Sequence, residues 1–223
     1  MKIDGAIFDL DGTLLDSMKI WDTIGEDYLL SLGIEPKENL KETFKNMSLT
    51  QSALYYQEHY NVDKTVEEII SEINSLVEHF YIYEVQLKHG VKEFLEKLSK
   101  NKIKMIIVTA TDRYLVEASL SRLKIRQYFI DILTCQEVGY GKDVPVIYEE
   151  ALKKLNTDKE KTMVFEDAVY AIITAKKAGF IVSGVCDQSE EQDKVKELSD
   201  FYIREFKKRR ICKYENSINN CWE

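Results

Sequence analysis

The chain has 223 residues, of which 44% are hydrophobic and 31% are charged, and its formal net charge is −8. This apolar content is enough for a buried core, whereas the acidity argues against a nucleic-acid-binding protein, whose surface would be basic. No apolar run approaches the ~20 residues of a membrane helix, and no signal peptide precedes the first predicted strand, so we expect a soluble, cytoplasmic protein.

The first predicted element is an apolar strand that ends in two aspartates. The run from Ile3 to Phe8 is followed by Asp9, Asp11 and then Gly12, where the chain can turn sharply. Residues two apart in an extended segment face the same side, so we expect both carboxylates to point at one spot. Adjacent carboxylates repel each other unless a cation lies between them or one holds a proton. The segment therefore indicates a metal site, acid–base chemistry or both.

Residues 17 to 84 predict helices without an intervening strand. Between Ser17 and Lys88 there are 13 acidic residues against 6 lysines, so nearly all of the net negative charge of the chain lies here. Apolar spacing predicts four helices: Ser17 to about Leu32, Glu38 to Lys45, Thr50 to Tyr60, and Thr65 to Tyr83. We expect a four-helix cap at 17–84, inserted into a core formed by 1–16 and 85–223.

From Gly90 onward, helices alternate with short apolar strands. The predicted helices are Val91–Ser99, Tyr114–Leu123, Val144–Leu155 and Val169–Ala178, and the strands are Ile103–Val108, Ile130–Leu133, Thr162–Phe165 and Phe180–Val185. This alternation is typical of a doubly wound α/β fold with a parallel sheet covered on both faces.

The end of the chain predicts one more helix and a polar tail. Ser189 and Gln192 have the spacing of a capping box, which would open a helix to about Leu198. The basic run 207–210 fits a solvated, frayed end better than a nucleic-acid patch in so acidic a chain. The four cysteines lack metal-ligand spacing, and we expect reduced thiols: Cys135, Cys186, Cys212 and Cys221.

Four separate segments bring polar side chains to the carboxyl edge of the predicted sheet, where open parallel sheets bind ligands. The segments are Asp9-Leu10-Asp11, Thr109 to Asp112, Gly139 to Lys142, and Glu166-Asp167. Carboxylates are the ligands that Mg²⁺ prefers, while a hydroxyl near a helix start and a lysine suit phosphate oxygens. Together they predict a site for a phosphate ester.

Single residues of this set also have a structural interpretation. Asp112, Asp143 and Asp167 each stand where a helix N-cap is expected, and capping is the commoner role of an isolated aspartate. The order and placement of all four segments favour the functional interpretation.

Four motifs resemble those of the haloacid dehalogenase superfamily, in the branch with an all-helical cap that includes β-phosphoglucomutase. They are DLDGTLLDS at 9–17, VTAT at 108–111, GKDVPVIYEEAL at 141–152 and VFEDAVYAIITAKKAGF at 164–180. The resemblance implies that Asp9 is a nucleophile that forms an aspartyl phosphate. It also implies that Asp11 is the general acid and base, which protonates the leaving oxygen and then activates water.

The same resemblance implies how ligands are held. Thr109 and Lys142 would bind the transferring phosphoryl group, and Lys142 would also hold Asp9. Further phosphate contacts would come from Leu10, Gly12 and Ala110. The Mg²⁺ ligands would be Asp9, Glu166, Asp167 and the backbone carbonyl of Asp11.

Departures from the family pattern favour a hydrolase. Asp11 argues against dehalogenases and phosphonoacetaldehyde hydrolases, in which this aspartate is replaced. Trp21 stands where β-phosphoglucomutase carries a cap histidine, and Leu49 stands where it carries the arginine that grips a second phosphate. We therefore expect a Mg²⁺-dependent phosphatase of a small phosphorylated metabolite, such as a sugar phosphate. The alternatives are a sugar-phosphate mutase and a catalytically inactive binding module.

Specificity would come from the cap. Trp21, Lys45 and Met47 are candidate contacts of the leaving group, although the two apolar residues could equally belong to the bundle core and the lysine to a solvated face. We expect a monomer or weak dimer whose partner is a small metabolite.

Overall fold

The computed structural model describes residues 3–37, 40–44 and 49–206, apart from the side chains of 41 and 42. The chain divides into two compact units, one from Met18 to Glu84 and the other formed by the residues before and after it. Within the described ranges, no helix is both long enough and apolar enough to cross a membrane. Cys135 and Cys186 are free thiols, and the other two cysteines lie outside the described residues.

The unit from Met18 to Glu84 is helical. Its described helices are α1 (Met18–Ser31), α2 (Leu40–Phe44), α3 (Leu49–Tyr60) and α4 (Val66–His79), followed by a π-helical segment, Phe80–Glu84. A capping box between Thr65 and Glu68 opens α4. The core of this unit buries, among others, Tyr28, Leu29, Tyr56, Ile69 and Ile73. The helix predicted to run to Tyr83 therefore changes its hydrogen-bonding pattern after His79.

The other unit contains a six-stranded, all-parallel sheet in the order β3-β2-β1-β4-β5-β6. Its strands are β1 (Gly5–Phe8), β2 (Lys104–Thr109), β3 (Asp131–Thr134), β4 (Thr162–Glu166), β5 (Ile181–Val185) and β6 (Phe201–Ile203). The predicted parallel α/β core is confirmed, and β6 is an edge strand beyond the five that were predicted.

Helices connect the strands of this unit. They are α5 (Val91–Lys100), α6 (Arg113–Arg122), α7 (Cys135–Val138), α8 (Val146–Leu155), α9 (Val169–Lys177) and α10 (Gln192–Leu198). Two neighbouring residues of β1 illustrate how both sheet faces are covered. Ile7 packs in a core cluster with residues of α8, α9 and α10, whereas Phe8 stacks on Phe165 at 4.4 Å and meets Phe94 of α5 edge-on. The strands are therefore buried on both faces.

The capping box predicted at Ser189 and Gln192 is wrong. The helix α10 begins at Gln192 with Glu191 as its N-cap. The backbone N–H and the hydroxyl of Ser189 both donate to Asp187 Oδ1, at 3.0 and 2.7 Å. A carboxylate is a stronger acceptor than the neutral amide of Gln192, so the N–H and hydroxyl of Ser189 bond to Asp187 instead.

The chain leaves and re-enters the α/β unit through two paired segments. Leu15 and Leu87 form an antiparallel bridge. The N–H of Asp16 donates to the carbonyl of Gln86 at 2.9 Å, and the N–H of Lys88 donates to that of Leu14 at 2.9 Å. The residues that flank the helical unit in sequence are thus hydrogen-bonded to each other.

Candidate active site

Asp9 follows the last residue of β1 and is almost completely buried. Phe8 pairs in register with Phe165 of β4, and the N–H of Asp9 donates to the Phe165 carbonyl at 2.9 Å. This register brings Asp9 level with Glu166 at the carboxyl edge of the sheet. The Asp9 Oδ1 atom accepts a hydrogen bond from Lys142, whereas the buried Oδ2 atom has no hydrogen-bond donor among the described residues.

Lys142 bridges two carboxylates from neighbouring strands. Its Nζ donates to Asp9 Oδ1 and to Glu166 Oε2, the second at 2.9 Å. Glu166 is itself held in place, because its Oε1 accepts the N–H of Ala168 at 3.2 Å and its Oε2 accepts the hydroxyl of Tyr148 at 3.4 Å. Lys142 is 5% exposed, so its ammonium and both partners interact away from bulk water.

Asp167 completes a buried group of three carboxylates. One side-chain oxygen from each of Asp9, Glu166 and Asp167 lies within 4.8 Å of the other two. The hydroxyl of Thr13 donates to Asp167 Oδ1 at 3.0 Å. Asp167 therefore accepts a bond from the turn after β1, and it is not the N-cap of α9, a position that Ala168 occupies.

The charges in this group do not balance. Three buried carboxylates face one ammonium, and burial raises the pKa of Asp9 to about 6, with the Glu166 charge adding to the rise and Lys142 opposing it. Burial, together with the charges of Asp9 and Glu166, raises the pKa of Asp167 well above its usual range. The pKa of Lys142 is also raised, because its two anionic partners outweigh the effect of burial.

The donor set fits a hard divalent cation. Such an ion prefers carboxylate oxygens, and two positive charges match the excess of carboxylates over the ammonium. Asp9 Oδ2 is a buried oxygen without a donor among the residues that the structure describes, so a bound cation could satisfy it. The structure therefore presents a buried acidic cluster that is compatible with a divalent metal.

Asp11 has different partners from Asp9. Its Oδ1 accepts the hydroxyl of Ser17 at 2.7 Å, and its Oδ2 accepts the hydroxyl of Thr111 at 2.6 Å. The strand β1 ends at Phe8, so neither aspartate belongs to it, and the chain turns at Gly12, which has φ +75°. The two aspartate side chains therefore interact with different groups, although they are two residues apart.

The loop after β2 carries the predicted phosphate-binding threonine. Thr109 is buried, and its hydroxyl oxygen accepts the N–H of Thr111 at 3.0 Å. An oxygen that accepts this bond keeps its own proton for donation to a ligand. Of the other predicted phosphate contacts, Leu10 and Gly12 lie in the turn after β1, and Ala110 is exposed beyond β2; their roles remain predictions.

The remaining predicted residues are distributed as follows. Trp21 is 46% exposed on α1, which does not fit the bundle-core interpretation. Lys45 and Met47 lie outside the described residues, as does the basic run 207–210. Asp112 is the N-cap of α6 but makes no side-chain capping bond, and Asp143 is not a cap because Pro145 precedes α8.

Four residues around the cluster were not predicted to belong to the site. Thr13 donates to Asp167 and Tyr148 donates to Glu166, both within the cluster, whereas Ser17 and Thr111 donate to the neighbouring Asp11. Thr13 and Ser17 lie within the motif at 9–17, and Thr111 is two residues after Thr109, so their sequence positions carried a usable signal. Tyr148 carried none, because its position on α8 fits an ordinary core residue.

Comparison with known proteins gives a consistent result. Residues 6–185 match the family of haloacid dehalogenase-like hydrolases. A Thermotoga maritima phosphorylated carbohydrates phosphatase is 26% identical over 177 residues, covering 79% of this chain and 82% of that protein. Hexitol phosphatase B of Escherichia coli K12 is 27% identical over 183 residues, covering 79% and 81%.

A solved structure shares the fold. A Thermotoga maritima protein provisionally named beta-phosphoglucomutase superposes with a TM-score of 0.81 at 24% identity, covering 92% of this chain and 94% of its own. The resemblance inferred from the four motifs is confirmed, and the chain belongs to the haloacid dehalogenase-like hydrolase family.

Proposed function

We propose that this hydrolase is a Mg²⁺-dependent phosphatase that cleaves a small phosphorylated metabolite through an aspartyl phosphate on Asp9. The observation that carries the proposal is the buried group of three carboxylates around Lys142, in which Asp9 Oδ2 has no donor among the described residues. Such a group supports both a metal ion and a nucleophilic oxygen beside it.

The metal would be held by Asp9, Glu166 and Asp167, with the backbone carbonyl of Asp11 as a further ligand. A bound Mg²⁺ supplies positive charge that offsets the repulsion between the carboxylates and an anionic substrate. Glu166 shares its Oε2 with Lys142 and Tyr148, so it would serve the cation and the lysine together.

In the first half of the reaction, a carboxylate oxygen of Asp9 forms a bond to phosphorus. The bond between phosphorus and the leaving oxygen breaks, and its electron pair stays on that oxygen. Asp11, in its acid form, gives its proton to the same oxygen, so the organic product leaves as an alcohol. Lys142 and Thr109 bind the phosphoryl oxygens and stabilise their negative charge during the transfer.

In the second half, water attacks the phosphorus of the aspartyl phosphate. Asp11, now a carboxylate, accepts a proton from this water as the new bond forms. The bond between phosphorus and Asp9 breaks, which releases inorganic phosphate and regenerates the Asp9 carboxylate and the Asp11 acid.

The names of the relatives support a carbohydrate or polyol phosphate as the substrate. Both phosphatases described above are named for such compounds, and each matches four fifths of this chain. We expect the inserted unit from Met18 to Glu84 to act as a cap and to contribute leaving-group contacts, with Trp21, Lys45 and Met47 as the candidates.

The test compares Asp9→Asn with the parent protein on a panel of hexose and hexitol phosphates. Phosphate release is measured with Mg²⁺ and with EDTA. We expect the substitution to lower kcat by roughly 10³-fold or more, because an amide is not a nucleophile. Asp4→Asn is the matched control: Asp4 precedes β1 at its other end, and its carboxylate lies 4.0 Å from Lys161.

Two results would contradict the proposal. One is an Asp9→Asn variant that retains the parent rate after contaminating phosphatase has been excluded. The other is conversion of β-glucose 1-phosphate to another sugar phosphate, in the presence of a bisphosphate and without release of inorganic phosphate. Phosphorus NMR would follow this reaction, which would indicate a mutase.

A further inference from the structure

Thr111 connects the two sides of the candidate active site. It lies in the loop after β2, two residues beyond Thr109. Its N–H donates to the Thr109 hydroxyl at 3.0 Å, and its own hydroxyl donates to Asp11 Oδ2 at 2.6 Å. One residue therefore contacts both the predicted phosphate-binding hydroxyl and the predicted general acid and base.

The bond from Thr111 restricts the orientation of the Asp11 carboxylate. Ser17 donates to the other oxygen, Oδ1, at 2.7 Å, so each carboxylate oxygen accepts a hydroxyl from a different segment of the chain. Rotation of the carboxylate about its Cβ–Cγ bond would break these hydrogen bonds. The plane of the group is thus fixed by contacts on both sides.

A hydroxyl suits a group that alternates between acid and base. A threonine hydroxyl can donate to a carboxylate and can also accept from a carboxylic acid, so it can bond to Asp11 in both protonation states. A lysine at the same place could only donate, and it would hold the aspartate ionised. The chemistry of Thr111 therefore matches a proton carrier better than a purely structural ion pair would.

We propose that Thr111 is a positioning residue, which aims the Asp11 carboxylate at the leaving oxygen of the substrate. This inference rests on the proposed function, because it assumes that Asp11 transfers the proton. It does not require Thr111 to touch the substrate or the phosphoryl group. Its effect should therefore depend on how much the leaving group needs a proton.

The test compares two substrates that differ in this need. The p-nitrophenolate anion is stable, so it leaves without being protonated. The hexitol alkoxide that would leave from a hexitol phosphate is strongly basic and needs a proton. Thr111→Val removes the hydroxyl but keeps the side-chain shape. We expect it to lower kcat/KM, which reports only the steps up to release of the leaving group, by about tenfold on sorbitol 6-phosphate and by less than about twofold on p-nitrophenyl phosphate. Hydrolysis of the aspartyl phosphate is common to both substrates and does not enter this comparison.

Thr111→Ser is the matched control, since it keeps the hydroxyl and should restore most of the parent rate on sorbitol 6-phosphate. An equal loss of kcat/KM on both substrates would overturn the proposal, because it would indicate a role in phosphate binding or folding. No loss on either substrate would overturn it as well.

A crystal structure of Thr111→Val provides a readout that does not depend on activity. We expect the Asp11 carboxylate to rotate away from the orientation it has in the parent protein. An unchanged carboxylate would overturn the inference even if the parent protein hydrolysed neither substrate, whereas missing turnover in the parent would count against the proposed function alone.

Discussion

The two units of this protein differ in how the oxygens of their carboxylates are hydrogen-bonded. In the helical unit, Tyr28 donates to Glu72 Oε2 at 2.9 Å, and Lys64 pairs with the other oxygen of the same carboxylate. Both oxygens of that acid are therefore bonded. At the edge of the sheet, three buried carboxylates share one lysine, and a buried oxygen of Asp9 has no donor among the described residues. In the helical unit both oxygens of the carboxylate have partners, whereas the candidate site keeps a carboxylate oxygen available for a ligand.

Removing the single ammonium from the site should have the largest effect on stability. Lys142→Met leaves Asp9 and Glu166 buried without their cation, and we expect the free energy of unfolding in EDTA to fall by about 3–5 kcal/mol, together with phosphatase activity. Urea denaturation provides the measurement. Saturating Mg²⁺ should restore part of the lost stability, because the ion supplies the missing positive charge.

Lys154→Met is the control for that variant. Lys154 forms an exposed ion pair with Asp131 at 2.6 Å. Its loss should change stability by less than about 1 kcal/mol. Equal stability of Lys142→Met and the parent in EDTA would show that the cluster does not depend on the lysine.

Occupying the site with Mg²⁺ should have the next largest effect. At about 100 times its dissociation constant, an ion that binds only the folded state adds about 2.7 kcal/mol to the free energy of unfolding. Asp167→Asn should abolish this gain. In EDTA the same variant should be more stable than the parent. Burial and the anionic neighbours raise the pKa of Asp167, which means that its ionised form destabilises the folded protein, and the substitution removes that charge. Thermal unfolding with and without Mg²⁺ tests both statements, and a full Mg²⁺ shift in the variant would exclude Asp167 as a ligand.

A complete ion pair at the same edge of the sheet should respond to pH. Asp187, after β5, binds Lys88 at 2.7 Å and accepts two bonds from Ser189. Burial opposes ionisation, but these bonds outweigh it and hold the pKa of Asp187 below its usual value. A depressed folded-state pKa stabilises the protein above the unfolded value of about 3.9, and this contribution is lost as the pH falls through the folded value.

We therefore expect Asp187→Asn to cost about 2 kcal/mol near neutral pH and less near pH 3, as measured by urea denaturation at both pH values. A cost that did not change with pH would mean that the pair stabilises the fold through shape and not through charge.

The smallest effect is expected from the complete network of the helical unit. Glu72→Gln removes the charge that Lys64 faces but keeps an acceptor for Tyr28. Because the acid is partly exposed, we expect a loss of less than about 1 kcal/mol in urea denaturation and an unchanged Mg²⁺ dissociation constant. A weakened affinity for Mg²⁺ would mean that this network and the metal site are coupled.

The sequence predicted most of the fold because its signals were local. The strand before Asp9 and the strand and helix near Thr109 follow from short apolar runs and from helix-compatible spacing. The second residue of the loop after β2, Thr111, was named in the motif but not assigned a role, since a hydrogen bond to Asp11 depends on two segments meeting in space.

Other differences have similar causes. The strand β6 has three residues and lies at the sheet edge, and such a short run does not distinguish a strand from a loop. The capping box at Ser189 failed because Asp187, two residues earlier, is a competing acceptor. The different partners of Asp9 and Asp11 could not be predicted either, because period-two spacing applies only within a strand and β1 ends at Phe8.

The pairing of Leu15 with Leu87 has a consequence for how the protein can change over time. The residues before and after the insertion are hydrogen-bonded side by side, so the positions of its two ends are set by contacts within the α/β unit. Loop-closure entropy grows only slowly with length, so insertions of very different sizes could be exchanged at this junction with little cost to the α/β unit. The junction is therefore a site where a different insertion can be accommodated without changing the residues at the carboxyl edge of the sheet.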